Sequence, residues 1–166
     1  MCIRDSVALG VLVERIVARW TAQAAMKGIA LSARVEPGLH TKADEHQLDV
    51  MLDNLVDNAI RYTPARGHVE VRACRLESRP ALRVVDDGPG IAPAERERVF
   101  DRFYRGEELS GEMRASGSGL GLAIVKSVVD RHGGEVALGE TAHGGLLATV
   151  RLPLAMADAP QPMLCS

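Results

Sequence analysis

The sequence predicts a single α/β (α+β) domain of two layers, in which helices cover one face of a mixed, mostly antiparallel sheet. Two observations predict this fold class. A chain of 166 residues with 46% hydrophobic and 25% charged residues is long enough to bury a core of its own. Helical and alternating apolar patterns also interleave along the chain, while several consecutive strands are separated only by short turns, as antiparallel neighbours are.

The first half of the chain predicts two helices and one strand. Apolar residues at helical spacing predict a helix over 7–27, which Gly28 ends. Alternating apolar residues over 29–36 predict a half-buried strand. The next helix begins at Asp44, whose carboxylate can cap it, and its apolar stripe runs over 48–59.

The second half predicts four strands and two helices. In chain order they are a strand over 68–77, a strand over 81–87, a short helix over 93–100, a helix that begins near Leu120, and strands over 134–141 and 144–154. The domain is therefore expected over residues 7–154. Residues 1–6 match neither a signal peptide nor this pattern and are interpreted as a cloning or assembly scar or a disordered start. Residues 155–166 are expected to form a flexible tail.

Composition argues against several function classes. The formal net charge of -2 and the pI near 6.2 predict no basic stripe of the kind that nucleic acid or anionic lipid requires. Cys2, Cys74 and Cys165 are far apart and form no CxxC pair, which argues against a disulfide framework or a zinc site and favours a reducing, cytosolic setting. The longest apolar stretches, such as 7–13, fall far below the ~20 residues of a membrane-spanning helix.

The helix that begins at Asp44 carries a polar stripe beside its buried face. At about 100° per residue, Asn54, Asn58 and Arg61 fall on this stripe. A carboxamide oxygen suits Mg²⁺, which shares the rest of its coordination shell with water and phosphate oxygens. Arg61 could then meet a phosphate, and Tyr62 could line a purine pocket. The alternative is that the amides are boundary residues facing water or a loop and that Tyr62 is a core aromatic.

The stretch "VVDDGPGI" places a carboxylate at the end of a predicted strand. Asp86 ends the strand, and Gly88 and Gly90 allow the backbone to turn sharply and to approach a ligand closely. An ionised Asp86 can accept a hydrogen bond from an exocyclic amine such as that of adenine, with Asp87 as its solvated neighbour. The alternative is an ordinary turn.

The stretch "VFDRFYRG" predicts a small hydrophobic latch. Phe100 and Phe103 are three residues apart on a short helix, so they can contact one another. Such a latch, at the base of the polar stretch 106–116, would anchor that stretch as a mobile flap. Arg105 would then lie where a terminal phosphate could be met.

The stretch "GSGLGLAIVK" predicts an anion site. Gly117, Gly119 and Gly121 leave backbone N–H groups unobstructed, and the helix beginning near Leu120 points its positive end at them. A di- or triphosphate is the natural ligand, although glycine runs also serve tight turns. A Walker loop is absent, and Leu122 stands where a GxGxxG dinucleotide motif needs glycine.

Four stretches resemble, in chain order, the N box, first glycine box, F box and second glycine box of sensor histidine kinases. They are "NLVDNAIRY", "VVDDGPGI", "VFDRFYRG" and "GSGLGLAIVKSVVDRHGG", and the resemblance covers about residues 7–154. The resemblance implies the catalytic ATP-binding domain of a two-component histidine kinase in the GHKL superfamily. It also implies a Bergerat-type fold, in which ATP lies between a helix and the lid 106–116.

The resemblance implies roles for individual residues. Asn58 is expected to bind Mg²⁺, and Asn54, Asn58 and Arg105 to act in catalysis. The other expected nucleotide contacts are Arg61, Tyr62, Asp86, Gly88, Gly90, Ile91, Phe103, Gly117, Gly119, Leu120 and Gly121. Where the family often has a small hydroxyl residue, this chain has Leu146, so a hydrogen bond near adenine is either lost or supplied by Thr149 instead.

None of the five histidines lies in an HExxxP-like stretch, which is where sensor kinases carry their phosphoacceptor. The chain is therefore expected to donate the γ-phosphoryl group of ATP to a histidine on a separate helical dimerisation and phosphoacceptor domain of its parent, with a response regulator receiver domain downstream. His132 is expected to make contacts at a helix end. The resemblance implies a cytoplasmic domain of a membrane-anchored parent, with no direct membrane contact and no nucleic-acid partner.

Three alternatives stay open. An ATP hydrolase or clamp like gyrase, mismatch-repair or chaperone members of the superfamily would need a glutamate at the place of Asn54 to activate water. An anti-sigma-factor-type serine kinase has a similar pocket, although the F box and long lid argue against it. A non-catalytic nucleotide-binding regulator would use ATP only to hold a shape.

Overall fold

The computed structural model describes residues 5–102, 104 and 121–153. The helices in these ranges are α1 (Leu9–Lys27), α2 (Glu45–Tyr62) and α3 (Gly121–Arg131). The strands are β1 (Asp5–Ala8), β2 (Ala30–Val35), β3 (His40–Ala43), β4 (His68–Leu76), β5 (Arg79–Asp86), β6 (Glu135–Glu140) and β7 (Leu146–Arg151). Two 3-10 helices, Pro93–Glu95 and Arg98–Phe100, follow β5. Within the described ranges, no helix is both long enough and apolar enough to span a membrane.

Five strands form the main sheet, in the order β2-β4-β5-β7-β6. β2 and β4 run parallel, and the other three neighbouring pairs are antiparallel. Alternate strand residues such as Val71, Val84 and Val150 join the helices in one buried core. All three helices contact this sheet. The predicted fold, a mixed and mostly antiparallel sheet with helices on one face, is therefore confirmed.

Helix α2 begins as the sequence predicts. The Asp44 side chain accepts a hydrogen bond from the backbone N–H of Gln47 at 3.1 Å and caps the first turn. The buried face of α2 comprises Leu48, Met51, Leu52, Leu55, Val56, Ala59 and Ile60. Burying each leucine stabilises the fold by roughly 1.5–3 kcal/mol. The packing of this face fixes the rotation of α2, and with it the direction in which the polar stripe points.

Several local features differ from the sequence prediction. Asp5 and Ser6, which were expected to lie outside the domain, belong to β1, and β1 pairs antiparallel with β3. Consequently α1 begins at Leu9 rather than at residue 7. The stretch 93–100 forms two separate 3-10 turns instead of one helix. Strands of four residues offer too few positions for an alternating pattern to be recognised.

His132 ties the end of α3 to the start of α2. It is 3% exposed. Its Nδ1 lies 2.7 Å from the Val128 carbonyl oxygen, and its Nε2 lies 3.1 Å from the backbone nitrogen of Asp44. Both contacts are hydrogen bonds if Nδ1–H donates and an unprotonated Nε2 accepts, which is the neutral imidazole. The expected helix-end role is therefore confirmed, and the same ring also fixes the antiparallel pair α2–α3.

Candidate functional site

The centre of the candidate site is the carboxylate of Asp86, at the end of β5. Asp86 is 4% exposed. Its Oδ1 accepts hydrogen bonds from the backbone N–H groups of Gly88 at 2.8 Å and of Leu146 at 3.2 Å. Burial raises the pKa of this carboxyl, although the two N–H groups act in the opposite direction. No residue in the described ranges donates to Oδ2, so this oxygen can accept from a ligand.

Glycines bring the ends of three elements together around Asp86. A Cβ on Gly88 would lie 3.0 Å from Asp86 Oδ1 and 3.0 Å from the Tyr62 carbonyl oxygen, at the end of α2. Gly145 directly precedes β7, and a Cβ on it would lie 1.9 Å from the Asp86 carbonyl oxygen. Gly90 has φ +72, and a Cβ there would meet a carbonyl oxygen at 2.7 Å. The close approaches therefore require glycine, and they hold the ends of α2 and β5 and the start of β7 against one another at the carboxylate.

Two parts of this arrangement, the close approach of Gly145 and the backbone N–H of Leu146, are not predicted from the sequence. The pair of glycines in "HGG" was the available signal. Which of them approaches Asp86 depends on the register between β5 and β7, in which Leu147 pairs with Val85. A register between strands about 60 residues apart cannot be taken from a local pattern.

Asn54 connects α2 to the start of α3. Its Nδ2 donates to the Val50 carbonyl at 2.8 Å. Its Oδ1 lies 3.4 Å from the place that a Cβ on Gly121 would take. The carboxamide oxygen therefore faces the end of the predicted glycine loop. Asn58, one turn further along, is half-buried on the same edge of the helix.

The last turn of α2 is held from two sides. Arg61 forms an ion pair with Asp57 at 3.1 Å. Lys27, at the end of α1, donates from Nζ to the carbonyls of Ile60 at 2.8 Å and Arg61 at 2.6 Å. Burial and the nearby Arg61 charge lower the pKa of Lys27. These contacts stabilise the helix end from which the backbone of Tyr62 reaches Gly88.

Of the predicted latch, only Phe100 lies in the described ranges, and polar contacts surround it. Phe100 is half-buried at the end of the second 3-10 helix. The Tyr104 hydroxyl donates to Glu95 at 2.6 Å, and the Arg98 guanidinium lies 4.9 Å from the centre of the Tyr104 ring. Ile91 accepts a hydrogen bond from Arg96 through its carbonyl at 3.0 Å. These contacts connect the two 3-10 turns to the residue that follows them.

The structure does not bring Thr149 to Asp86. Thr149 pairs directly with Arg83 in the sheet, and its Oγ1 accepts from Arg83 Nε at 3.3 Å. Arg83 points to the face opposite Val84 and Asp86, because side chains alternate along a strand. The hydrogen bond from this part of the chain to Asp86 comes instead from the backbone N–H of Leu146. Thr149 is therefore no replacement for that hydroxyl group.

Several predicted site residues lie outside the described ranges: Phe103, Arg105, Gly117, Gly119, Leu120 and the expected lid 106–116. Their roles stay predictions. Gly121, the first described residue of α3, is the point where the glycine loop would enter the site.

The sequence matches the profile of a family described as histidine kinase-, DNA gyrase B-, and HSP90-like ATPase over residues 43–156. Sensor protein kinase PmrB of Pseudomonas aeruginosa is 41% identical over 155 residues, which are 93% of this chain and 32% of PmrB. The histidine-protein kinase/phosphatase MprB of Mycobacterium tuberculosis is 48% identical over 110 residues, which are 65% of this chain and 21% of MprB. The chain thus spans a third or less of the length of these relatives.

Solved structures show the same fold. The mycobacterial sensor histidine kinase MprB aligns with a TM-score of 0.79 and 32% identity, over 92% of this chain and 99% of that one. Full-length ShkA in complex with AMPPNP aligns with a TM-score of 0.81 and 31% identity, over 97% of this chain and 33% of that one. The catalytic domain of histidine kinase ThkA shares the fold at 21% identity, with a TM-score of 0.79.

Proposed function

Because the chain belongs to the histidine kinase-, DNA gyrase B-, and HSP90-like ATPase family, we propose that it binds Mg-ATP and donates the γ-phosphoryl group to a histidine on a separate phosphoacceptor domain. It corresponds to the catalytic ATP-binding domain of a sensor histidine kinase such as PmrB or MprB. In the cell, the proposal puts this domain in the cytoplasm as part of a membrane-anchored parent. A helical dimerisation and phosphoacceptor domain would be its direct partner, and a response regulator receiver domain its indirect one.

The observation that carries the proposal is the buried carboxylate of Asp86. Its Oδ1 is occupied by two backbone N–H groups, while no described residue donates to Oδ2. An exocyclic amine such as that of adenine donates to such an oxygen, whereas the carbonyl of guanine at the same place would oppose it. The close backbone approaches at Gly88 and Gly145 hold this carboxylate where three elements meet. The site is thus suited to adenine.

The polar edge of α2 supports the phosphate end of the proposal. Asn58 would hold Mg²⁺ through its carboxamide oxygen, and Asn54 already points its oxygen toward Gly121. The metal would neutralise charge on the phosphates. Arg61 is paired with Asp57, so a phosphate would compete with that carboxylate for the guanidinium. Arg105 is proposed to contact the terminal phosphate, with Phe103 anchoring the lid.

The same edge argues for transfer rather than hydrolysis. Asn54 occupies the place of a water-activating carboxylate, and a carboxamide is a poor general base because it does not titrate usefully. The chain therefore positions the phosphoryl group without activating water. A nucleophile has to come from the acceptor domain.

The test uses γ-labelled ATP and the full chain, alone and with a separately purified phosphoacceptor domain of a sensor histidine kinase. Alone, the chain is expected to bind Mg-ATP without labelling itself or hydrolysing ATP rapidly. With the acceptor domain, acid-labile and alkali-stable phosphate should appear on that partner. Asp86→Asn, tested in parallel, should reduce the labelling.

Each alternative function has its own outcome in this assay. Rapid hydrolysis by the chain alone would contradict transfer and favour an ATPase. Acid-stable phosphate on a serine would favour an anti-sigma-factor-type kinase. Tight ATP binding without transfer to any acceptor domain would favour a non-catalytic regulator.

A further inference from the structure

The face of the main sheet that points away from the helices carries a row of arginines. Arg34 on β2 pairs with Arg72 on β4, and Arg72 pairs with Arg83 on β5. Residues paired in register point to the same face, and Val71 and Val84 on these strands point to the core. Neighbouring strands lie ~4.8 Å apart, so the three arginines are aligned across the sheet over ~10 Å.

Among the described residues, the open face as a whole is basic, because its five arginines outnumber its three glutamates. Arg79 and Arg151 lie on it, together with the three glutamates Glu36, Glu70 and Glu135. Arg72 is paired with Glu70, while Arg79 and Arg151 share Glu135 at 3.9 Å each. Neither Arg34 nor Arg83 forms an ion pair with a residue that the structure describes, and Arg83 donates only to Thr149. The whole chain has a net charge of -2, so the remainder of the molecule is acidic.

Within the row only Arg72 has a carboxylate partner among the described residues. Like charges directly opposite each other on neighbouring strands repel. The apolar stem of an arginine can cover an open sheet, but the stem of a lysine or a glutamine would do so as well, so this role does not require arginine. Every lysine or arginine position that the structure describes on this face is arginine, whose planar fork binds carboxylates through two parallel hydrogen bonds. The residue type and the alignment both favour an acidic ligand.

We propose that the open face docks an acidic helix of a partner protein, which lies across the strands along the row Arg34–Arg72–Arg83. A helix presents one carboxylate per turn if acidic residues recur every three or four positions, and its pitch of ~5.4 Å matches the spacing of the row. The other face of the sheet is already packed with helices. A helix on the open face would complete a third layer.

The position of the large apolar side chains favours a protein over a membrane. Among the described residues the exposed large hydrophobic ones are Val11, Met26 and Ile124, which lie on α1 and α3. None of them is on the open face. A surface that binds lipid usually combines basic residues with apolar side chains that insert into the bilayer. The open face therefore fits a carboxylate-bearing protein surface.

The test measures fluorescence anisotropy of a labelled alanine-based helical peptide with glutamate at every fourth position. The full chain is compared with the variant Arg34→Gln, Arg72→Gln, Arg83→Gln. A matched control, Lys42→Gln, Arg66→Gln, Lys126→Gln, removes the same charge from other exposed sites. The row variant should lose about tenfold or more in affinity and the control less than about twofold, because exposed ion pairs are individually weak but act together here.

Two further probes make the result specific. The same peptide with glutamine in place of glutamate should not bind. Vesicles containing anionic phosphatidylserine should bind the chain no better than neutral phosphatidylcholine vesicles. Equal losses in both triple variants, no binding of the acidic peptide, or strong binding to the anionic vesicles that the row variant loses would each overturn the proposal. All variants should keep their affinity for ATP, which separates this test from that of the proposed function.

Discussion

Replacing Gly145 by alanine is the sharpest test of how the base end of the site is assembled. A Cβ at this position would lie 1.9 Å from the Asp86 carbonyl oxygen and 2.9 Å from its carbonyl carbon. Ordinary contact needs ~3.3 Å, so β5 and β7 would have to separate by more than ~1 Å at this point. The hydrogen bond from Leu146 to Asp86 Oδ1, now 3.2 Å long, would then be lost.

The size of the effect follows from these two changes. Forcing a methyl group into a packed site costs roughly 1–3 kcal/mol, and losing a hydrogen bond to a buried charged acceptor costs roughly 1.5–3 kcal/mol. We therefore expect Gly145→Ala to lower the free energy of unfolding by roughly 3–5 kcal/mol. ATP affinity should fall as well, because Asp86 would no longer be held in place.

Gly139→Ala is the matched control. Gly139 lies on β6 of the same hairpin, and a Cβ there would lie 3.9 Å from the Leu147 carbonyl oxygen, which is an ordinary contact. Urea unfolding and ATP calorimetry should show that this variant behaves like the unmodified chain. If Gly145→Ala were as stable as Gly139→Ala and bound ATP equally well, the close approach of β7 to Asp86 would be wrong.

Three more predictions concern single side chains. Because burial raises the pKa of Asp86, the ionised carboxylate lowers the free energy of unfolding at neutral pH. Asp86→Asn should therefore unfold at a higher urea concentration than the unmodified chain at neutral pH, but not in acid, where the native carboxyl is protonated. Calorimetry should show that the same variant binds ATP more weakly. Asn58→Asp, which is nearly isosteric, should weaken Mg-ATP binding by adding charge beside the phosphates, and calorimetry in Mg²⁺ that gives the variant the same ATP affinity as the unmodified chain would contradict its role. Lys27→Met should lower the free energy of unfolding by about 1 kcal/mol by freeing the carbonyls of Ile60 and Arg61, and Lys27→Arg should restore part of it in urea unfolding.

The sequence predicts best those features that depend on near neighbours. The cap at Asp44 and the buried face of α2 follow from residues three or four positions apart, and both are confirmed. The position of Asp86 at the end of a strand follows from the alternating pattern before it. These local features account for the fold class and for most of the polar edge of the site.

Features that depend on strand register could not be predicted in this way. Thr149 is three residues from Leu146, but its partner across the sheet is Arg83, which puts its hydroxyl on the face away from Asp86. The contact of Gly145 with Asp86 depends on the same pairing. The net charge of -2 likewise gives no indication of the arginine row, because Arg34 and Arg83 become aligned only through β4.

Asp86 and the arginine row have one physical property in common. In each place the fold holds charge without a full set of partners, through burial at Asp86 and through the absence of an ion-pair partner among the described residues at Arg34 and Arg83. An N–H donor of a ligand at Asp86, or a carboxylate at the arginine row, supplies the missing partner. The binding free energy of such a ligand adds to the stability of the folded chain. An adenine nucleotide and an acidic helix should therefore each raise the melting temperature. The two increments should be additive, because Asp86 lies on the helix side of the sheet and the arginines lie on the open side.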